Sequence, residues 1–279
     1  YEDDDKIKLN ETSETESEIK SFNSLVDLNN AFSSKIYKIS IKKDYHLKKP
    51  LVIYHTTNNK IKSKSINIRL KFELDQNSSL RLIDYKSHQS EKNFINIFYD
   101  FELKKNSILK NYRIDNDNNK NIGYSFNNIN QDENSVSENF ILSSGSSFFK
   151  NEINCNLNGS YSSAFVNGII TLMNDQHHEI RTSINHLVEN TKSYQLIKSV
   201  LGKDSKAVYQ GKIFVNSEAQ KTDGYQLSKA ILLDKSSEFN AKPELEIYAD
   251  DVKCSHGSAS GSLNENSIFY LMSRGLSYQ

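Results

Sequence analysis

Apolar and polar residues alternate with a period of two along much of this chain. Residues 65–74 carry an apolar side chain at every second position, and residues 95–103 repeat the pattern. Successive side chains of a β-strand point to opposite faces, so this alternation predicts strands with one buried face. Within residues 18–34 the apolar residues are instead spaced as on a helix, which predicts one short helical segment near the N-terminus.

Short polar turns recur between the predicted strands at nearly constant spacing. The asparagines of Asn77-Ser78, Asn106-Ser107 and Asn134-Ser135 are 29 and 28 positions apart, and Gly159-Ser160 follows 25 positions later. A unit of this length holds two or more short strands, which bury no core alone, so the units must stack. Asn and Ser at such corners suit ladders of side-chain hydrogen bonds. The repeat favours a β-solenoid over a β-sandwich, whose strands also recur at short intervals.

The patterns divide the chain into three segments. Residues 35–279 are predicted to form one all-β domain, preceded by the helical segment at 18–34. Residues 1–17 are acidic and polar, and Asp3-Asp4-Asp5-Lys6 resembles part of an expression tag, so we interpret this segment as a disordered or tag-derived tail. The Asn-rich stretch 127–134 is expected to be an exposed turn.

Charge and composition exclude several kinds of partner. The chain has 35 basic and 35 acidic residues and a formal net charge of zero, which gives no electrostatic reason to bind nucleic acid or an anionic membrane. Two cysteines are too few for a disulfide framework, and no apolar run resembles a membrane span or a signal peptide. We therefore expect protein partners in a soluble, reducing compartment.

The sequence contains no recognisable catalytic signature. It lacks a phosphate-binding glycine-rich loop with lysine, a nucleophile elbow, a dinucleotide fingerprint and a paired-cysteine zinc motif. A carbohydrate-active β-helix enzyme would need a row of carboxylates on one face, whereas the Asp and Glu residues are scattered over turns. We expect the chain not to be an enzyme, with a structural or adhesive solenoid as an alternative function.

The stretch from Pro243 to Gly261 carries the strongest candidate for a ligand-binding site. Its alternation is interrupted at Asp250-Asp251 and then resumes, which puts Cys254 and His256 on one face of a strand, about 7 Å apart. Both side chains bind soft metals, but a tetrahedral site needs four donors, so other ligands would have to come from elsewhere. The alternative is structural: a small buried cysteine and a hydrogen-bonded histidine.

The densest group of titratable residues lies between residues 175 and 186. His177 and His178 are adjacent and would point to opposite faces of a strand, so they cannot share one ion there. His178 and His186 would meet only if the coil brought them together. The favoured interpretation is a polar strand with solvated histidines, and the alternative is a metal site. Cys155 belongs to no motif and is expected in the core.

The C-terminal part of the chain resembles a known family. The run PELEIYADDVKCSHGSASG at residues 243–261, followed by SIFYL at 267–271 and SRG at 273–275, is similar to the C-terminal signature of the SufB/SufD family. Members of this family are scaffold subunits of the SUF iron–sulfur cluster assembly system. The resemblance extends upstream to about residue 165 and is general before that. It implies a right-handed parallel β-helix and a non-catalytic scaffold function.

The same resemblance implies partners and a cargo. It implies a heterodimer with a SufB-type subunit, action with the SufC ATPase, and an iron–sulfur cluster that is transient, shared with SufB and not bound by this chain alone. SufB carries a cysteine shortly after the equivalent of Ile231-Leu232-Leu233, whereas residues 234–237 here contain none, so the chain resembles the SufD branch. His256 is then the candidate cluster ligand at the SufB interface, and Cys254 is a weaker candidate. A homodimer is the alternative when the chain is alone.

One departure from the family pattern concerns the C-terminus. Family members continue beyond the Ser-Arg-Gly motif into a helical region that engages SufC, whereas this chain stops at Gln279, four residues after Gly275. We therefore expect a fragment or a short member, in which binding of SufC is in doubt. The expected location is the bacterial cytoplasm or, alternatively, the plastid stroma or apicoplast, because an Asn- and Lys-rich composition suits an AT-rich genome of either kind.

Overall fold

The chain folds into a parallel β-solenoid, which confirms the predicted fold class. The structure is a computed structural model and describes residues 5–12, 23–58, 60–88, 91–116, 120–262 and 264–277. Its elements are β1 (Ile7–Thr12), α1 (Ser24–Phe32), β2 (Ile36–Ile41), β3 (Leu51–Thr57), β4 (Ser65–Leu74), β5 (Ser79–His88), β6 (Phe94–Leu103), β7 (Ile108–Asn116), β8 (Ile122–Gln131), β9 (Val136–Ser144), β10 (Phe148–Leu157), β11 (Ser163–Leu172), β12 (His177–His186), β13 (Lys192–Leu201), β14 (Lys206–Val215), β15 (Thr222–Leu232), β16 (Glu238–Ile247), β17 (Val252–Ser262) and α2 (Glu265–Ser273).

From β2 onward, consecutive strands alternate between two facing sheets. In the described part of the chain, the first sheet has the order β1-β2-β4-β6-β8-β10-β12-β14-β16, and the second has the order β17-β15-β13-β11-β9-β7-β5-β3. Neighbouring strands are parallel throughout, apart from β1, which runs antiparallel to β2. Each coil therefore adds one strand to each sheet, and the last coil consists of β16 and β17.

The inward-facing side chains of both sheets form one elongated core. In β4 the inward positions Leu70, Phe72 and Leu74 are at most 5% exposed. Parallel register brings similar side chains of successive coils together, and Phe72 stacks on Phe101 with ring centroids 4.7 Å apart. Cys155 is completely buried in this core, as expected, and burial raises the pKa of its thiol to about 12.

Asparagine residues form a ladder along one corner of the solenoid. Asn77, Asn106 and Asn134 all have positive φ, between 55° and 59°. Asn106 Nδ2 donates to Asn77 Oδ1 at 2.8 Å, and Asn134 Nδ2 donates to Asn106 Oδ1 at 2.7 Å. Asparagine tolerates this left-handed conformation, and its short amide reaches the next coil. The predicted repeat and its hydrogen-bonded ladder are confirmed at these three corners.

The next corner does not use the predicted Gly159-Ser160 pair. The residue equivalent to the corner asparagine is Tyr161, with a φ of 63°. The Asn134 N–H donates to the carbonyl oxygen of Ser160, the residue before Tyr161, and at the earlier corners the acceptor likewise precedes the next asparagine. Gly159 instead lies against the preceding coil, and a Cβ atom on it would lie 1.9 Å from the backbone nitrogen of Glu133. Close approach of two backbones therefore requires glycine at this position.

Gly159→Ala is expected to lower the free energy of unfolding by about 3 kcal/mol, because backbone atoms cannot turn aside as a flexible side chain can. Gly261→Ala is the matched control, since a Cβ atom there meets nothing within 4 Å. That variant should change stability by less than about 0.5 kcal/mol. Urea unfolding of both variants measures the difference. Equal stabilities would show that the two coils separate at Gly159 without cost.

The N-terminal elements differ in part from the sequence prediction. β1 lies inside residues 1–17, for which the sequence predicts a disordered or tag-derived tail, and its Ile7 is buried against the first sheet. α1 lies within the predicted helical segment 18–34, whose first five residues fall outside the described ones. The Asn29 side chain of α1 donates to backbone carbonyl oxygens of β4 and β6, which fixes the helix on the outer face of the first sheet.

Candidate site at the C-terminal end of the solenoid

The C-terminal end of the solenoid is open. Among the described residues β17 pairs only with β15, and β16 only with β14, so each leaves one backbone edge unpaired. Inner-face side chains are also uncovered here. Leu245 and Ile247 are 36% and 38% exposed, whereas their partners one coil earlier, Ile213 and Val215, are completely buried. An open strand edge beside exposed apolar side chains is typical of a protein interface.

Helix α2 follows this edge and adds to its apolar surface. The helix begins after Asn264, whose side chain accepts a hydrogen bond from the Ser267 N–H. It lies inside the range predicted as β-helix and was not predicted. Its apolar side chains are between 47% and 74% exposed at Phe269, Tyr270, Leu271 and Met272. In the part of the chain that the structure describes, no helix is long and apolar enough to cross a lipid bilayer.

Cys254 faces the interior of the last coil. It pairs in register with Gly224 of β15, and its Sγ atom lies 3.4 Å from the position that a Gly224 Cβ would take. Cys254 also packs against the small apolar cluster that contains Ile213 and Ala249. Burial raises the pKa of the Cys254 thiol above its ordinary value, so the thiol stays protonated at neutral pH. These contacts favour the structural interpretation of Cys254.

His256 lies on the same strand face as Cys254 but is exposed. Its partner in the register of β15 and β17 is Gln226, which is buried. No group of three or more His, Cys, Asp or Glu side chains among the described residues is placed to hold a metal ion. An iron–sulfur cluster at His256 would therefore need donors that these residues do not supply.

Comparison with known proteins identifies the family of this chain. The family model described as "SUF system FeS cluster assembly, SufBD core domain" matches residues 55–279. The chain belongs to the SufBD core family. The matched range includes the open C-terminal edge, both residues of the candidate site and helix α2.

Several curated proteins share parts of this SufBD core. The iron-sulfur cluster assembly protein SufD of Escherichia coli is 36% identical over 149 residues, which cover 53% of this chain and 35% of that protein. The chloroplastic protein ABCI7 of Arabidopsis thaliana is 45% identical over 85 residues, which cover 30% and 18% of the two chains. A SufBD family protein of Pyrococcus horikoshii is 33% identical over 112 residues, which cover 40% and 25%. The matches thus span about a third or less of these relatives' lengths.

Two of the three histidines in β12 of this SufBD core are interior. His177 faces outward, whereas His178 and His186 are completely buried, so the expectation of solvated histidines is wrong for these two. His178 Nε2 donates to the Ser146 carbonyl oxygen at 2.9 Å, and its Nδ1 lies 2.8 Å from Ser143 Oγ. His178 and His186 occupy opposite ends of β12 and do not meet, and His177 and His178 point to opposite faces as predicted.

A charged network inside the N-terminal half of the solenoid was not predicted. Asp84 is completely buried and accepts hydrogen bonds from Tyr99 Oη at 2.5 Å and Arg113 Nε at 3.0 Å. His55 Nε2 lies 2.8 Å from the other Asp84 carboxylate oxygen. Burial alone would raise the pKa of Asp84, but His55, Arg113 and the nearby Lys86 outweigh it and hold that pKa well below its usual range. Asp84 is therefore an ionised, fully enclosed carboxylate.

The Arg113 guanidinium completes this network on its other sides. Its Nη1 and Nη2 atoms donate to Ser125 Oγ at 2.9 Å and to Asn127 Oδ1 at 2.7 Å. Its central carbon lies 4.1 Å from the centroid of the Tyr99 ring. All of these groups belong to strands β3 to β8, at the opposite end of the solenoid from the open edge. The network therefore belongs to the interior of the fold and not to the candidate site.

Proposed function

We propose that this SufBD core is a non-catalytic scaffold for iron–sulfur cluster assembly that pairs with a SufB-type subunit through its open C-terminal edge. The observation that carries the proposal is the uncovered inner face of the last coil, where Leu245 and Ile247 are exposed although the same positions one coil earlier are buried. Membership of the SufBD core family and similarity to the E. coli cluster assembly protein SufD support it.

Pairing in this proposal uses backbone groups that the last coil leaves open. β17 adds to the equivalent strand of the partner, and the contact covers the apolar side chains around it. His256 then lies at the seam between the subunits as a neutral imidazole with one lone pair available to iron. The cluster is cargo, and the partner supplies its remaining donors. A SufC-type ATPase would provide nucleotide hydrolysis, and without the partner the same edge accepts a second copy of this chain.

His256→Ala is expected to leave the complex intact and to lower its cluster content by about tenfold or more, because loss of even a hydrogen-bond partner behind a metal ligand costs about 10- to 100-fold in affinity. The measurement is co-expression with SufB-type and SufC-type subunits, affinity recovery and gel filtration, then iron and acid-labile sulfide per complex. His46→Ala is the control, because His46 is also exposed but precedes β3, at the other end of the solenoid. Unchanged cluster content in His256→Ala would contradict the ligand role.

The pairing itself is tested at Leu245. A lysine at this position would carry a charge into the seam, so Leu245→Lys is expected to abolish recovery with the SufB-type subunit while the chain alone remains folded. Recovery of the wild-type chain with neither subunit, from a sample with a cooperative unfolding transition, would contradict the scaffold proposal as a whole. Recovery of Leu245→Lys at wild-type yield would instead place the partner surface elsewhere on the chain.

A further inference from the structure

Gln226 is a buried polar side chain whose carboxamide does not contribute a hydrogen bond to the fold. It is 1% exposed, and neither its Nε2 nor its Oε1 atom has a hydrogen-bond partner among the described residues. Burial of an unpaired amide costs free energy, so an orphaned amide in a folded protein calls for an explanation. The hydrogen bonds that stabilise the solenoid do not explain why a glutamine is buried at this position.

The position of Gln226 connects it with the open end. Gln195, Gln226 and His256 are register partners in β13, β15 and β17, so their side chains stack on the inner face of the second sheet at intervals of about 4.8 Å. Gln226 thus lies directly beneath His256, one layer inside the last coil. His256 is the next polar side chain along this column toward the open end.

A glycine on the facing sheet leaves room for the Gln226 carboxamide. A Cβ atom at Gly211 would come within 2.2 Å of Gln226 Oε1 and 2.5 Å of Tyr209 Oη. Any larger residue at Gly211 would therefore displace the carboxamide. The oxygen atom projects into the interior between the sheets, where it can accept a hydrogen bond.

Gln195 provides an internal comparison one coil earlier. It is equally buried, but its Oε1 accepts hydrogen bonds from Thr182 Oγ1 and from Tyr209 Oη, the latter at 3.2 Å. Its carboxamide oxygen is therefore held by the fold itself. The Gln226 oxygen lacks such donors. It therefore remains able to accept a hydrogen bond from a further group, whereas the Gln195 oxygen already has two donors.

We propose that Gln226 is the positioning residue for His256. When a partner strand covers β17, the His256 ring turns onto the interior and donates its single N–H to Gln226 Oε1. A neutral imidazole has one N–H and one lone pair, so this bond fixes the tautomer and leaves the lone pair directed to the seam. The proposal rests on the proposed function, because the ring is exposed until the edge is covered. It deepens that function by naming the group that orients the ligand.

The test uses Gln226→Met, which keeps the length of the side chain and removes both polar atoms. Gln195→Met is the matched control, one coil further from His256 on the same face. The chain is labelled with ¹⁵N-histidine and bound to the SufB-type subunit, and the imidazole ¹⁵N shifts report the tautomer of each of its seven histidines. The spectrum of His256→Ala identifies the His256 signals.

We expect one His256 tautomer in the wild-type complex and in Gln195→Met, and a mixture of both in Gln226→Met with a cluster content lowered by about tenfold. A single, unchanged tautomer in Gln226→Met would overturn the proposal. So would the same mixture in both methionine variants, which would indicate a general disturbance of the interior. Loss of cluster in His256→Ala together with wild-type behaviour of Gln226→Met would leave the proposed function standing and reject the positioning role. No effect of His256→Ala on cluster content would reject the ligand role instead.

Discussion

Replacement of Arg113 by methionine is expected to lower the free energy of unfolding by about 3–5 kcal/mol. Methionine fills much of the space of the arginine stem but removes the charge that faces Asp84 at 3.0 Å. Asp84 is completely buried, so it cannot recover this loss by contact with water. The cost is that of a buried carboxylate that loses a partner, together with the unpaired Ser125 and Asn127 acceptors.

Urea unfolding at neutral pH measures this loss, with Arg81→Met as the control. Arg81 is exposed and makes one long hydrogen bond, from Nη2 to the Lys48 carbonyl oxygen at 3.3 Å, so its replacement should change stability by less than about 0.5 kcal/mol. Addition of Asp84→Leu to Arg113→Met should recover part of the loss, because both charges are then absent. Equal midpoints for the two single variants would show that His55 and Lys86 compensate the Asp84 charge without Arg113.

The strands were predictable because the alternation of apolar and polar residues is visible within each strand by itself. β4 begins and ends at the residues that the alternation indicates, Ser65 and Leu74, and β6 differs from its prediction by one residue. The corner asparagines were predictable because a solenoid repeats one backbone conformation in each coil, and asparagine tolerates that conformation. The displaced corner at Tyr161 shows the limit of this argument, since coils of unequal length shift the repeat.

The interior charges were not predictable from the same signal. Leu80, Leu82 and Asp84 occupy the same inward face of β5, and a charged residue there breaks the expected pattern. Only the register pairs Asp84 with Arg113 of β7, and that register depends on coil length. Asn127 belongs to the stretch predicted as an exposed turn, yet it is 1% exposed in β8 and accepts a hydrogen bond from Arg113. Opposite charges at inward positions one coil apart are the signal that could have found this network.

The candidate site was partly predictable. The shared face of Cys254 and His256 follows from their spacing of two, and the contacts of the partly buried Cys254 with its apolar neighbours favour the structural alternative for that residue. Gln226 could not be found in this way, because it lies 30 positions before His256 and meets it only through the register of β15 and β17. Helix α2 was not predicted. Its residues were interpreted only as part of the family signature, and their spacing was not compared with that of a helix.

The stability of the fold is expected to fall as the pH decreases from about 6.5 to 4, by about 3 kcal/mol for each of His178 and His186. Burial lowers the pKa of both imidazoles to about 4. For His178, a hydrogen bond to the Ser146 carbonyl, the nearby Asp115 and the adjacent His177 modify the effect of burial without reversing it. Between pH 6.5 and 4 the unfolded chain binds protons at these positions and the folded chain does not. This stability is fully present above the unfolded pKa and is lost below it.

Urea unfolding of His178→Gln and His186→Gln between pH 7 and pH 4.5 measures this effect, because glutamine keeps hydrogen-bonding groups but does not titrate. Each variant should have a shallower decline in the free energy of unfolding with decreasing pH, and the double variant should have the shallowest. His177→Gln is the matched control, since His177 is adjacent in β12 but faces outward, and it should leave the decline unchanged. Parallel curves for the wild type and all three single variants would mean that the buried rings take up protons in the folded state. The neutral imidazoles would then contribute nothing to the acid sensitivity of the solenoid.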